Sequence, residues 1–205
     1  MHYVIGIDEV GRGCLAGPVV VGAALIPKNL RLPSRRLGKL RDSKRLTKRK
    51  REEWVGYFKG HPRIFFSIAR VGPRGVDRLN ISNAANLAAW RAFGALKRKA
   101  GVTIASSEVY LDGGLYLKKK GLVAEARTVV RGDESIRAVQ IASIVAKVER
   151  DRLMTSSARH YPGYGFEIHK GYGTRSHRDA LIRLGQSDIH RLTFLRFLQN
   201  SKRKR

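Results

Sequence analysis

The sequence lacks cysteine pairs, long apolar runs and a leader-like start, and each absence excludes a class of protein. Its one cysteine, Cys14, excludes an intrachain disulfide and a cysteine-based zinc cage. No apolar run approaches the roughly 18 residues of a membrane-spanning helix. Residues 1–8 contain no basic segment that leads into an apolar stretch. We therefore expect a cytoplasmic protein without membrane contact, stabilised by a packed core.

Acidic residues are also scarce. The 205 residues include 42 lysines and arginines against 16 aspartates and glutamates, which gives a formal net charge of +26. A polyanionic partner normally balances such an excess. Basic residues recur from Lys28 to Arg205 instead of following one helix face, so nucleic acid is favoured over a membrane surface. Composition alone leaves open an enzyme or a passive nucleic-acid binder. Basic runs, some of them expected to be solvated surface, occur at residues 35–36, 48–51, 97–99, 118–120 and 202–205.

Apolar patterning predicts an α/β fold. Helical spacing, with Thr47 as one N-cap and Gly101 as one stop signal, predicts helices at residues 47–58, 80–100, 135–157, 176–184 and 192–198. The Gly- and Tyr-rich segment 161–174 predicts a surface loop. Short runs rich in β-branched residues predict strands at residues 2–8, 18–26, 63–71, 108–112 and 127–131. The first two strands are expected to pair like a hairpin. The order predicts a mixed sheet flanked by helices.

Four acidic residues interrupt or follow apolar strands. Asp8 and Glu9 close the first strand, Asp112 closes the fourth, and Asp133 stands just before the long helix. Strand ends are where sites assemble in α/β sheets. Converging carboxylates would repel one another, and Mg²⁺ or Mn²⁺ would relieve that repulsion. Two such ions can activate water and stabilise the leaving oxygen of a phosphodiester. Spacing alone leaves open the alternative that Asp112 and Asp133 are only turn and N-cap residues.

The run Asp8-Glu9-Val10-Gly11-Arg12-Gly13 resembles the opening motif of ribonuclease HII, the type 2 ribonuclease H of bacteria and archaea. The resemblance extends from about residue 3 to residue 197. Further motifs follow in the family's order: Asp42-Ser43-Lys44, Leu111-Asp112-Gly113, Gly132-Asp133, Ala142 to Val148, His169 to Thr174 and His190-Arg191.

The resemblance implies a ribonuclease H-like fold with a mixed five-stranded sheet and a helical C-terminal extension at about residues 160–200. Residues 1–200 would form one catalytic domain, and the basic tail 201–205 would be disordered. The implied reaction is hydrolysis of the RNA strand of RNA–DNA hybrids, with incision 5′ of ribonucleotides embedded in duplex DNA to leave 3′-hydroxyl and 5′-phosphate ends. Such an enzyme would serve ribonucleotide removal. We expect a monomer without an obligate protein partner.

The resemblance also assigns roles to residues. Two Mg²⁺ or Mn²⁺ ions would be held by the four carboxylates, Asp8, Glu9, Asp112 and Asp133. The Gly11-Arg12-Gly13 loop would contact the 2′-hydroxyl at the cut through its backbone. Tyr172 would pack on the sugar at the RNA-to-DNA junction. Contacts to the nucleic-acid backbone would come from Ser43, Lys44 and Lys170, and Ser43 and Lys44 would bind a phosphate.

Several assignments stay open at this stage. Ser143 and Lys147 share one face of the long helix, which meets either the site or the solvent. A zinc site formed by His169, His177 and His190 is disfavoured, because their spacing matches no zinc pattern. The rival functions are the sister type, ribonuclease HIII, which carries an added N-terminal domain and lacks Gly-Arg-Gly, and a catalytically silent nucleic-acid binder.

Overall fold

The computed structural model describes residues 2–33, 37–101, 107–117 and 126–196. Its strands are β1 (Tyr3–Val10), β2 (Val19–Pro27), β3 (Phe65–Val71), β4 (Ser107–Asp112) and β5 (Ala126–Val129). Its helices are α1 (Lys48–Gly60), α2 (Pro73–Leu79), α3 (Ile81–Ala100), α4 (Gly132–Ser135), α5 (Arg137–His160), α6 (Phe166–His169) and α7 (Arg175–Leu184). Ser43–Arg45 and Leu192–Phe194 form 3₁₀ turns.

The strands form one mixed sheet in the order β3-β2-β1-β4-β5. β2 lies antiparallel to β1 and β3, which confirms the predicted hairpin-like pair. β4 lies parallel to β1 and β5, so the carboxyl ends of β1 and β4 meet at one edge. Ile7 is paired with Leu111. The next residues in each strand, Asp8 and Asp112, are therefore brought side by side by the register.

Helices cover both faces of the sheet because alternate strand residues point in opposite directions. Ile5 and Ile7 face α3 in one apolar cluster. Val4 and Ala24 face α1 and α5 in a second cluster. The mixed five-stranded sheet flanked by helices is thus confirmed. No helix in the described ranges combines the length and the apolar character needed to cross a bilayer.

Most predicted elements occur within a few residues of their expected positions. The Thr47 hydroxyl accepts from the Lys50 amide at 3.3 Å and caps α1, and Gly101 ends α3 in the left-handed conformation. Sequence reasoning missed α2, whose short polar segment begins with Pro73 in the first turn.

Two C-terminal predictions need correction. The surface loop expected at 161–174 is wrong in part, because this segment contains α6, and Phe166 is buried against Leu15 and Met154. The last helix, expected at 192–198, is a 3₁₀ turn over Leu192–Phe194 in its described part. The predicted tail 201–205 and the basic runs 35–36 and 118–120 lie outside the described residues.

Two glycines let α5 lie directly on the centre of the sheet. A Cβ added to Gly6 would fall well inside van der Waals contact of the Ala138 and Val139 backbone, and one added to Gly22 would collide with the Ala142 carbonyl. Only residues without a side chain permit this approach of helix and strand backbones. The contact fixes α5, and with it the segment that carries Asp133, against β1.

We expect Gly6→Ala to lower the free energy of unfolding by about 3 kcal/mol, because the methyl group has backbone atoms for neighbours and these cannot rotate away. Gly56→Ala is the matched control. Gly56 lies in α1 with no atom within 4 Å of the added Cβ, so this change should stabilise by about 0.5–1 kcal/mol. Urea unfolding of both variants provides the measurement. Equal effects of the two changes would contradict the close packing of α5.

Candidate active site

Three carboxylates meet at the shared edge of β1 and β4. Asp8, Asp112 and Asp133 each place one oxygen within 4.8 Å of the others. Backbone amides fix two of them: Asp8 Oδ1 accepts from the Glu9 amide and Asp112 Oδ1 from the Gly132 amide, both at 2.7 Å. Asp133 lies in α4, directly before the long helix. The strand-end positions singled out in the sequence thus come together in space for these three residues.

Glu9 lies beside this cluster and is held differently. Strand alternation points it to the α3 face, opposite Asp8. Its Oε1 forms an ion pair with Arg12 at 3.2 Å, and Arg12 also donates to Ser82 of α3 at 3.0 Å. Its Oε2 is buried and has no hydrogen-bond partner. An unpaired buried carboxylate oxygen is unfavourable unless a cation binds it.

Burial and mutual repulsion disfavour the charged form of these carboxylates. Burial raises the pKa of Asp8 well above its ordinary value, and the charges of Glu9 and Asp112 raise it further, against a hydrogen bond from Ser143 that lowers it. Burial also raises the pKa of Asp133, and so does the charge of Asp112. Hard divalent cations, which prefer carboxylate oxygens, would relieve this repulsion. The residues present therefore fit such an ion.

The loop after β1 is shaped by two buried arginines that sequence reasoning missed. Arg191 donates to the carbonyls of Gly11 at 2.7 Å, Arg12 at 2.9 Å and Gly17 at 2.9 Å. Arg150 donates to the carbonyls of Ala16, Pro18 and Lys170 at 3.1, 3.1 and 2.9 Å. Arg150 stands in an otherwise apolar helical pattern, which is the one sequence signal that could have revealed it.

The two glycines of the Gly-Arg-Gly motif differ in role. Gly11 has φ +90°, and a Cβ there would collide with the Arg150 side chain, so the interior requires this glycine. A Cβ on Gly13 would meet no atom within 4 Å. Gly13 therefore leaves open space on the outside of the loop, where a ligand can approach its backbone.

Ser43 and Lys44 lie on the other side of the cluster. The Ser43 hydroxyl hydrogen-bonds to the Ser143 hydroxyl at 2.9 Å, and both residues are buried. Ser143 is also close enough to lower the pKa of Asp8, so its face of α5 meets the site and not the solvent. Lys44 Nζ lies 3.8 Å from Asp133 Oδ2, and its side chain is 80% exposed, free to reach a ligand.

Tyr172 stands at the rim, with its ring 39% exposed. Lys147 Nζ lies 5.8 Å from the ring centroid and Arg150 Cζ lies 5.6 Å from it. Its hydroxyl hydrogen-bonds with Cys14, and burial raises the pKa of Tyr172 to about 12. Lys170 takes a left-handed conformation, φ 53°, two residues earlier. Lys147 also pairs with Asp151 at 2.8 Å.

The three histidines support the Tyr172 loop from inside. His177 and His190 face each other through their Nε2 atoms at 3.0 Å, and His177 Nδ1 lies 2.9 Å from the Tyr172 carbonyl. His169 stacks on His177 with ring centroids 4.3 Å apart. Burial, aided by the charge of His177, lowers the pKa of His190 to about 4. Rings that are buried, stacked and hydrogen-bonded to one another fit a structural role.

Comparison with solved structures defines the fold. The ribonuclease H2 from Pyrococcus horikoshii OT3 is similar with a TM-score of 0.71 and 24% sequence identity, covering 99% of this chain and 100% of that one. The fold is therefore that of the type 2 ribonucleases H.

Sequence comparison defines the family. The profile of Ribonuclease HII matches residues 5–197. The ribonuclease HII of Pseudothermotoga lettingae is 41% identical, covering 96% of this chain and 79% of its own length. That of Paramagnetospirillum magneticum is 44% identical, covering 93% and 89%. The chain belongs to the ribonuclease HII family, and it is a metal-dependent endonuclease that acts on RNA–DNA hybrids.

The raised pKa of Asp8 predicts an unusual pH dependence for the metal-free protein. The folded state holds the Asp8 proton more tightly than the unfolded state, whose pKa is near 3.8. Stability should therefore fall as the pH rises through the window between that value and the raised pKa. Asp8→Asn should melt higher than the parent at pH 7, by about 2–4 °C for each kcal/mol, and the difference should vanish in acid.

Thermal melts without metal, and then with Mn²⁺, measure this effect. Mn²⁺ should stabilise the parent but not Asp8→Asn. Asp179→Asn removes an exposed carboxylate on α7 and serves as the control. If the metal-free parent melts at or above Asp8→Asn at neutral pH, the carboxylates do not repel one another as described.

Proposed function

We propose that the protein incises duplex DNA on the 5′ side of an embedded ribonucleotide, leaving 3′-hydroxyl and 5′-phosphate ends, as well as cutting the RNA strand of hybrids. In the cell this activity would serve ribonucleotide removal from DNA. One observation carries the proposal: Arg191 holds the carbonyls of Gly11 and Arg12 inward, beside the carboxylate cluster. In a trans peptide the following amide points the opposite way. The amides of Arg12 and Gly13 would therefore point outward, where they can donate to a sugar hydroxyl.

Metal binding is assigned to the carboxylates at the shared edge of β1 and β4. Asp8, Glu9, Asp112 and Asp133 would hold two Mg²⁺ or Mn²⁺ ions, with Glu9 using its unpartnered oxygen. When bound, two such cations supply an activated water and stabilise the leaving oxygen in phosphodiester hydrolysis. Ser143 orients the Asp8 carboxylate by its hydrogen bond.

Substrate binding falls to the residues around the cluster. Lys44, exposed beside Asp133, and the backbone of the Ser43 turn suit a non-bridging phosphate oxygen. The amides of the Gly11-Arg12-Gly13 loop suit a 2′-hydroxyl, which distinguishes ribose from deoxyribose. The partly exposed Tyr172 ring offers a flat surface to the adjacent sugar, and Lys147 places positive charge beside it. Lys170, which donates to Thr155, suits a phosphate farther along the backbone.

All of these groups come from one chain within residues 1–200. We therefore propose a single catalytic domain that works as a cytoplasmic monomer without an obligate protein partner. Light scattering combined with size-exclusion chromatography tests the oligomeric part of this proposal.

Cleavage of labelled duplexes tests the metal site and the substrate together. Three duplexes carry one ribonucleotide, four ribonucleotides or an all-RNA strand, each with Mg²⁺ or Mn²⁺. The parent should cut the first duplex on the 5′ side of the ribonucleotide. Asp8→Asn should bind it but cut about a thousandfold more slowly, equivalent to ~4 kcal/mol of lost transition-state stabilisation.

Asp179→Asn, which removes a distant exposed carboxylate, should cut like the parent. Equal cutting by Asp8→Asn and the parent would refute the metal site. Cutting of the all-RNA strand alone would leave the family activity in place and refute incision at single ribonucleotides.

Substitutions at Tyr172 test the junction. Tyr172→Phe loses only the hydroxyl contact to Cys14 and should keep most activity, because the ring face remains. Tyr172→Ala should reduce kcat/KM for the one-ribonucleotide duplex about tenfold while changing kcat/KM for the all-RNA hybrid less. Stacking of a nucleotide on an aromatic ring contributes ~1–3 kcal/mol. Competition between the two substrates measures the preference. An unchanged preference in Tyr172→Ala would count against this role.

A further inference from the structure

A basic groove runs between α1 and α5, away from the carboxylate cluster. Its volume is about 190 Å³, and its lining contains two acids, Asp151 and Glu52. Cations and hydroxyl groups form most of the rest of the lining: Lys48, Arg51, Arg152, Arg159, Thr155 and Ser156. We call it the α1–α5 groove.

The groove continues the surface of the candidate site. Ser143, Lys147, Asp151 and Thr155 are spaced four apart on α5, so each lies next to the following one along a ridge that curves around the helix. At 1.5 Å per residue, Thr155 lies about 18 Å along the helix from Ser143. Ser143 touches the Ser43 turn, and Lys147 faces the Tyr172 ring.

The walls are also tied to the substrate-facing loops. On the α1 side, Arg51 donates to the carbonyls of Ser43 at 2.9 Å and Leu46 at 2.6 Å. On the other side, Lys170 Nζ donates to the Thr155 hydroxyl at 3.1 Å. The groove therefore lies between the Ser43-Lys44 turn and the Lys170–Tyr172 loop. Both elements are proposed above to contact the nucleic-acid backbone.

Positive charge in the groove exceeds negative charge, since four cations line it against the two acids Asp151 and Glu52. Asp151 pairs with Arg51 at 3.6 Å and Lys147 at 2.8 Å. Within the described ranges no ion pair engages Lys48, Arg152, Arg159 or Lys170. Burial lowers the pKa of Lys170, and the charges of Lys48 and Lys147 lower it further, against Asp151, which raises it. These cations crowd one another, and an anion lying between them would relieve the repulsion.

We propose that the α1–α5 groove binds the sugar-phosphate backbone of the substrate duplex at a distance from the cut, a contact that rests on the nucleic-acid substrate proposed above. Cations with interspersed hydroxyls suit phosphate oxygens, whereas Val148 is the one apolar residue in the lining. The positions from Asp151 to Arg159 lie about 12–24 Å along α5 from Ser143, or roughly four to seven base pairs of duplex.

The proposal predicts a dependence on duplex length. The double variant Arg152→Gln, Arg159→Gln changes two exposed side chains of α5. On a one-ribonucleotide duplex of about 24 base pairs, KM should rise about tenfold with kcat unchanged, and the slope of log affinity against log salt should fall by up to ~1.8. A second duplex is shortened to about three base pairs beyond the ribonucleotide on the side that runs toward the groove, so that it no longer reaches the groove. On this short duplex, variant and parent should have equal KM.

The control is Arg91→Gln, Arg98→Gln, which removes two exposed arginines with the same seven-residue spacing from α3, on the opposite face of the sheet. It should match the parent at every length. Parity of the groove variant with the parent on the long duplex overturns the proposal. So does a defect of equal size at all lengths, or the same defect in the control.

The same length series on an all-RNA hybrid separates the two proposals. If the parent cuts only the hybrid, incision at single ribonucleotides fails, and the groove is still judged by the length dependence on that hybrid.

Discussion

The close approach of α5 to the centre of the sheet is the constraint on which the site depends. Gly6 and Gly22 let the helix backbone rest on β1 and β2. Asp8 follows Gly6 on the same strand face, and Ser143 follows the residue that contacts Gly22. Asp133 precedes the start of α5. A helix held even slightly farther away would separate Asp133 and Ser143 from Asp8, so the catalytic geometry is set by backbone packing.

Buried arginines fix the remaining part of the site. Arg191 and Arg150 bind carbonyls from the loop after β1 and from the Lys170 turn, so the C-terminal extension and α5 hold this loop together. Burial lowers the pKa of Arg191 to about 10, which leaves it charged at neutral pH. A charged donor with several carbonyl acceptors is a strong and directional restraint. The loop after β1 is thus held firmly although it forms neither a helix nor a named strand.

The sequence was informative where the signal is local. Strand periodicity, the Thr47 cap and the Gly101 stop depend on neighbouring residues, and acids at strand ends mark the site without knowledge of the tertiary structure. That Glu9 points away from Asp8 could have been expected from strand alternation. The partners of Arg191 could not, because they lie 174–180 residues away in the chain. Nothing local distinguishes a buried arginine from the many basic residues of the surface.

The negative charge of the carboxylate cluster and the positive charge of the basic residues act in opposite directions on a nucleic-acid substrate. A scissile phosphate that approaches Asp8, Asp112 and Asp133 meets negative charge, so the site repels its own substrate until cations neutralise it. A net charge of +26 attracts polyanions regardless of that local repulsion, and the α1–α5 groove is proposed to contribute to this attraction. We therefore expect binding and catalysis to be separable, with basic residues holding the polynucleotide and the metal-dependent edge deciding whether it is cut.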